Sequence, residues 1–202
     1  MLITNCKNRK MKKNIDAFLK VLDANDNSTG GGTASGVAGA MAAGMVAMVA
    51  RLSIGKKNMA AAEHYESIAQ QGEKLASELF NGGREDSDAF AHVSTAYRMP
   101  KATDEEKTER SKTIQKTMQH ATEVPLKNAQ GCHDVLALCI SLKDCFNKNA
   151  ASDLECAEHL AKAGLLGCVA NVRINLPSLK DQVVVAAIEK QLDKIMEIIS
   201  SH

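Results

Sequence analysis

A run of 23 residues without a charge, Ser28 to Ala50, constrains this chain more than any other feature. It reads STGGGTASGVAGAMAAGMVAMVA and opens on Gly30-Gly31-Gly32, a loop with free access to positive φ where backbone can approach a ligand closely. Thr33 or Ser35 can then cap a helix whose first amides point back into the glycines. Along that helix Val37, Met41, Met45 and Val49 recur every four residues as an apolar stripe. Two other rows, Gly36-Ala40-Gly44 and Gly39-Ala43-Ala47, carry almost no side chain and let neighbouring backbones pack closely. The run is long enough to cross a bilayer. Its Ala, Gly, Ser and Thr content, its glycine start and the absence of an aromatic belt argue instead for the buried central helix of a soluble bundle, with no membrane partner. A secretory leader pattern is absent as well, because the apolar part starts late and no cleavage site follows it.

The flanking sequence supplies helices to surround this one. Asn14 to Ala24 is expected as a helix, broken by Asn25-Asp26-Asn27-Ser28. A third helix runs to Phe80, where Asn81-Gly82-Gly83 is expected to stop it, and a short helix carries Phe90, Val93 and Tyr97 inward. Thr103-Asp104-Glu105-Glu106 is a capping box, Pro125 should kink or restart its helix, and Ser152-Asp153-Leu154-Glu155 reads as a second box. Ser178 to Ser200 is an amphipathic last helix. Aromatic residues make up 3% of the chain, Trp is absent, and no strand-like alternation appears. The expectation is an all-α, single-domain bundle of about seven helices, with residues 1–13 a basic disordered tail and residues 14–202 the helical domain.

Charge and cysteine usage narrow the classes. The first 20 residues hold six cations against Asp16, in a chain of formal charge +1, but without aromatic interleaving this is a solvated end and not a nucleic-acid surface. Six cysteines show neither C-x-x-C nor a His partner at zinc spacing, so no metal site is expected. Without a leader the thiols should stay reduced and the protein cytoplasmic.

Polar insertions mark where chemistry could sit: the glycine loop, Lys56-Lys57, Asp86-Ser87-Asp88, and Asn149/Asp153 with Asn171/Asn175. Each also has an ordinary structural explanation. Glycines give a tight helix entry, lysines complement a helix C-terminus, and Asp86, Ser87 and Asp153 are common helix-start residues. The loop is no nucleotide motif, since it lacks both G-x-x-x-x-G-K-[ST] and G-x-G-x-x-G. The histidines are scattered and form no triad pattern.

The order of motifs is more specific than any one of them. F-L-x-x-L, GGGTASGVAGAMAAGMVAMVARLSIGKK, DSDAF, MPKATDEEKTER, ATEVPL and NAASDLECAEHLAKAGLLGCVANVRINLPSLKD together resemble the cyclodeaminase/cyclohydrolase family over about residues 14–185. That family includes the cyclodeaminase half of formiminotransferase-cyclodeaminase and stand-alone methenyltetrahydrofolate cyclohydrolases. One departure is Thr29, where the family usually has proline. The resemblance implies an all-helical homodimer that binds folate in a groove between subunits, and a separate formiminotransferase chain as a further partner.

Two reactions follow from the resemblance. In the cyclodeaminase the aniline nitrogen attacks the formimino carbon and ammonia leaves; in the cyclohydrolase water opens the methenyl cation to the formyl compound. Both need a positioned acid/base and negative charge near a cationic carbon, and neither needs a cofactor beyond the tetrahydrofolate substrate. The resemblance then casts Asp88 and Asp153 as acid/base or cation-stabilising groups and Lys56 as their partner. Lys57 and Arg51 become anion contacts, Gly30, Gly31, Gly32 and Ser35 shape the folate slot, and Asn149, Asn171 and Asn175 bind substrate. The cyclodeaminase is the main expectation and the cyclohydrolase the alternative. A non-catalytic folate-binding or structural bundle is the rival of another class.

Overall fold

The computed structural model describes the backbone of residues 2–200 and the side chains of residues 11–200. Six long helices form: α1 (Leu2–Val21), α2 (Gly31–Ser53), α3 (Ala62–Tyr97), α4 (Asp104–Leu142), α5 (Ala151–Asn175) and α6 (Gln182–Ser200). Single 3-10 turns at Lys148–Ala150 and Leu176–Ser178 flank α5, and no strand occurs among the described residues. The all-α class is as expected; the helix count is six where about seven were expected.

The central helix is α2, packed chiefly against α3 and α5 and also against α4. Of its 23 residues 13 are buried, against 10 of 36 in α3. Its small rows explain the closeness. A Cβ on Gly36 would lie 2.9 Å from the Gly83 Cα, and one on Gly164 would lie 2.9 Å from the Ser35 carbonyl. These helices therefore meet backbone to backbone, as small-residue rows permit. The expected apolar stripe divides as a consequence. Val37 and Val49 are buried, Met45 is half-buried, and Met41 points to the surface beside Met48.

Several expected breaks are absent. α1 starts at Leu2, not Asn14, in a segment free of glycine and proline. α3 runs straight through Asn81-Gly82-Gly83, because Gly82 and Gly83 sit where neighbours leave no room for a side chain: Asn128 covers one and the Thr33 carbonyl the other. α4 likewise continues through a buried Pro125. Proline withholds the N–H that would reach Ala121, and the freed Ala121 carbonyl instead accepts from Asn175 Nδ2 at 2.9 Å. The Thr103–Glu106 capping box forms as expected, reciprocal bonds included. The second box does not: α5 has Ala150 at its N-cap with no side-chain bond, because the preceding 3-10 turn delivers the chain. That turn is capped by the Asn147 side chain and tied to α2 by Asn147 Nδ2 donating to the Leu52 carbonyl at 3.1 Å.

Candidate functional site

The antiparallel packing of α2 and α5 sets one end of each against the opposite end of the other. At the start of α2, Gly30 has no side chain to cap the helix, so the first amides seek partners elsewhere. One comes from α3: the Asp86 carboxylate accepts from the Thr33 N–H. The Thr33 hydroxyl in turn donates to the Gly83 carbonyl at 2.9 Å, locking α2 to α3 at this level. Any side chain at Gly32 would collide with the Asp86 carboxylate, so the third glycine is what lets the acid approach the helix end. Ser87 Oγ donates to the Ser28 carbonyl and holds the loop down.

Around these groups lies a cavity of about 340 Å³, lined by the Thr29–Gly32 loop, Asp86, Phe90, Asn171 and Asn175. Its polar wall is directional. Asn171 Nδ2 donates to the Gly167 carbonyl and Asn175 Nδ2 to the Ala121 carbonyl, which leaves both amide oxygens as acceptors. Phe90 and Ile174, both exposed, supply apolar flanks. The Thr29 hydroxyl is buried here without a hydrogen-bond partner.

Electrostatics single out Asp86. Burial lifts its carboxyl to about 6, against a smaller lowering by the Thr33 N–H. Among the described residues it has no ion-pair partner. A half-buried carboxyl that titrates near neutrality without an ion-pair partner can serve as acid, as base and as counter-ion to a cationic carbon. The thiols do not compete for this role. Burial, then the Glu158 charge, pushes Cys139 up to about 12, and the hydrogen bond that the Cys168 thiol donates to Cys132, with burial, pushes Cys168 well above its usual range. Among the described residues no three His, Cys, Asp or Glu side chains converge as metal ligands.

The structure brings together only part of the expected set. Gly30, Gly31, Gly32, Asn171 and Asn175 line the cavity. Ser35 does not: its hydroxyl is buried beneath the loop and donates to the Gly31 carbonyl at 2.6 Å. Asp88 is exposed on the far side of α3 and pairs with Arg84, so the acid at the cavity is Asp86. Arg51, Lys56, Lys57, Asn149 and Asp153 stand at the other end of α2, about 33 Å away for a helix of that length. Arg51 is paired there with Glu73, while Lys56, Lys57 and Asn149 are exposed and Asp153 is half-buried in the first turn of α5.

The sequence reading marked Asp86 only as part of the Asp86-Ser87-Asp88 insertion and Phe90 only as an inward residue, although a signal for their place at the cavity exists. The inward residues of α3 run Leu79, Gly82/Gly83, Asp86, Ala89 and Val93, and this register points Asp86 inward and Asp88 out. It is visible only if the helix is carried through the glycines. A larger cleft of about 530 Å³ between α1, α2 and α3 is lined by Met11, Val37, Met41 and Phe80, with no titratable side chain among the described residues.

Comparison with known proteins matches residues 14–194 to the family described as formiminotransferase-cyclodeaminase. A methenyltetrahydrofolate cyclohydrolase of Methylorubrum extorquens is 35% identical over 183 residues, which cover 90% of this chain and 88% of that protein. A formimidoyltransferase-cyclodeaminase of Rattus norvegicus is 28% identical across 83% of this chain, which spans only 31% of that longer protein. The solved structure of a formiminotetrahydrofolate cyclodeaminase from Thermotoga maritima superimposes with a TM-score of 0.78 at 27% identity, over 90% of this chain and 86% of that one.

Proposed function

The chain belongs to the formiminotransferase-cyclodeaminase family, and on that premise we propose that it is a tetrahydrofolate one-carbon enzyme that closes 5-formiminotetrahydrofolate to 5,10-methenyltetrahydrofolate with release of ammonia. The observation that supports this most is Asp86, a half-buried carboxyl near pKa 6 beside the glycine loop, with no ion-pair partner among the described residues. The pterin ring presents an amidine-like donor edge, which suits the acceptor oxygens of Asn171 and Asn175. Phe90 and Ile174 offer flanks for the flat ring. Asp86 protonates the departing ammonia as a general acid and, once ionised, faces the methenyl cation.

A different reaction of the methenyl product, its hydrolysis by water to 10-formyltetrahydrofolate, is the second reading, and the 35% identity to a cyclohydrolase favours it. Neither reaction calls for a cofactor beyond the folate.

The active unit in this reading is a homodimer. Met41, Met48 and Leu52 on α2 and Leu166 on α5 are between 40% and 48% exposed, on two helices that pack against each other. Gly44 lies among them with open space above it. A second copy, laid antiparallel across this face, covers the apolar side chains and brings its own lysine end toward the first copy's glycine end. Lys56, Lys57 and Asp153 then serve the cavity of the opposite subunit.

The test follows the methenyl absorbance. Its growth from 5-formiminotetrahydrofolate supports the cyclodeaminase, and its loss from 5,10-methenyltetrahydrofolate without ammonia-linked turnover supports the cyclohydrolase. A folded protein that changes neither substrate would contradict both.

A further inference from the structure

We propose that Pro125 is a positioning residue: by withholding an N–H from the Ala121 carbonyl, it reserves that carbonyl for Asn175 and fixes which end of the Asn175 amide the cavity meets. The proposal deepens the folate reading of the glycine-end cavity and rests on it.

Proline in a helix interior usually costs about 3 kcal/mol or more and kinks or breaks the helix. Here it is buried within α4, which continues for seventeen residues beyond it to Leu142. The acceptor orphaned by Pro125 is the carbonyl four residues back, Ala121. Asn175, at the end of α5, donates Nδ2 to that carbonyl at 2.9 Å, and both Ala121 and Asn175 line the cavity. A primary amide carries donors on one side and an acceptor on the other. With one Nδ2 hydrogen committed, the orientation of the amide is set, and Oδ1 is the acceptor that Asn175 offers to a ligand. One turn earlier Asn171 is fixed in the same sense, its Nδ2 donating to the Gly167 carbonyl at 2.8 Å. The two amide oxygens and the Asp86 carboxylate give the cavity a set of acceptors. That set selects a ligand edge rich in N–H donors and disfavours one rich in carbonyls. An N–H at position 125 draws the Ala121 carbonyl back into the helix ladder, so that Asn175 must share an acceptor it otherwise holds alone and the bond that orients its amide weakens.

The test is a double-mutant cycle of Pro125→Ala with Asn175→Ala, with Pro125→Val as a second variant that keeps more of the buried volume. The expected result is a melting temperature no lower than wild type, a KM for the folate substrate raised about 3- to 10-fold by loss of one oriented hydrogen bond, and a kcat within about two-fold. In the Asn175→Ala background, Pro125→Ala should leave KM unchanged, because the two residues act as one device. Additive effects in the cycle, or an unchanged KM for Pro125→Ala in the native background, would overturn the proposal. A second readout needs no substrate. The Asn175 side-chain amide protons, assigned by their loss in Asn175→Ala, should exchange slowly in the wild type and fast in either proline variant. Fast exchange in the wild type overturns the proposal even if the variants fail to fold. Slow exchange in a wild type that does not turn over folates would uphold the device and remove the folate reading instead.

Discussion

The two ends of α2 are made differently and do opposite things. At the glycine end three side-chain-free residues let α3 push a carboxylate against the helix start, and a cavity forms around it. At the other end the chain turns through Gly55 and Asn58, both at positive φ, and leaves Lys56 and Lys57 in solvent. One end holds a half-buried carboxyl with no ion-pair partner among the described residues; the other exposes two lysines. Within one chain they are a helix length apart. In the homodimer proposed above, each subunit supplies the acid of its own cavity, and the cationic complement comes from the second copy.

The largest effect that sharpens this contrast is expected at Asp86. Asp86→Asn should lower kcat by roughly 10²–10⁴-fold, the usual contribution of an acid/base group, while Asp88→Asn should stay within about three-fold, since Asp88 only pairs with Arg84 at the surface. Steady-state kinetics on folded variants checks both. The opposite ranking would return the chemistry to Asp88.

Next in size is Gly32→Ala. Its Cβ would occupy the place of the Asp86 carboxylate, so Asp86 must swing out. A fall in kcat/KM of about 10-fold or more is expected, with about 2 kcal/mol of lost stability. Gly44→Ala, whose Cβ meets nothing in the subunit, is the control for helix propensity in stability.

A smaller, pH-dependent effect separates the ends without any substrate. The Asp86 carboxyl is raised in the fold from its ordinary value near 3.8 to about 6, so the protonated form is the favoured one. The stability it contributes is fully present below about pH 4 and is lost as pH rises through about 6. Thermal melts should show a loss of about 2 kcal/mol over that window, and Asp86→Asn should flatten it. Asp153→Asn, at the lysine end, should leave the window unchanged.

How much of this was legible in the sequence depends on which residues are read. The buried central helix, the all-α class and the Thr103 cap follow from side-chain size and periodicity alone, and all are present. What misled was local punctuation. Gly82-Gly83 reads as a stop, yet tertiary packing uses the pair to bring α2 close, and carrying the helix through them turns Asp86 inward in place of Asp88. Pro125 reads as a break, yet an asparagine 50 residues later takes the carbonyl it frees. The Met41 position is outward for a reason no single-chain pattern contains, because the rows that pack inside are the small ones. The distance of Lys56 from the glycines follows from the length of the helix between them, whereas the place of Asp153 depends on how α5 packs on α2 and is invisible in one dimension.

The smallest effect concerns the loop itself. Thr29 buries a hydroxyl without a partner, so Thr29→Val should raise the unliganded stability by about 1 kcal/mol, which corresponds to about 2–4 °C for a chain of this size. A drop in melting temperature would show that the hydroxyl is satisfied after all.

Subunit complementation tests the central claim most directly. Asp86→Asn disables the glycine end and Lys56→Ala the lysine end, so each homodimer should be inactive. Mixed, unfolded and refolded together, they should recover up to about a quarter of wild-type activity, because half the dimers are hybrids and each hybrid holds one intact site. A mixture no more active than its parents, or a Lys56→Ala protein that is active alone, would contradict the claim that the two ends meet across subunits.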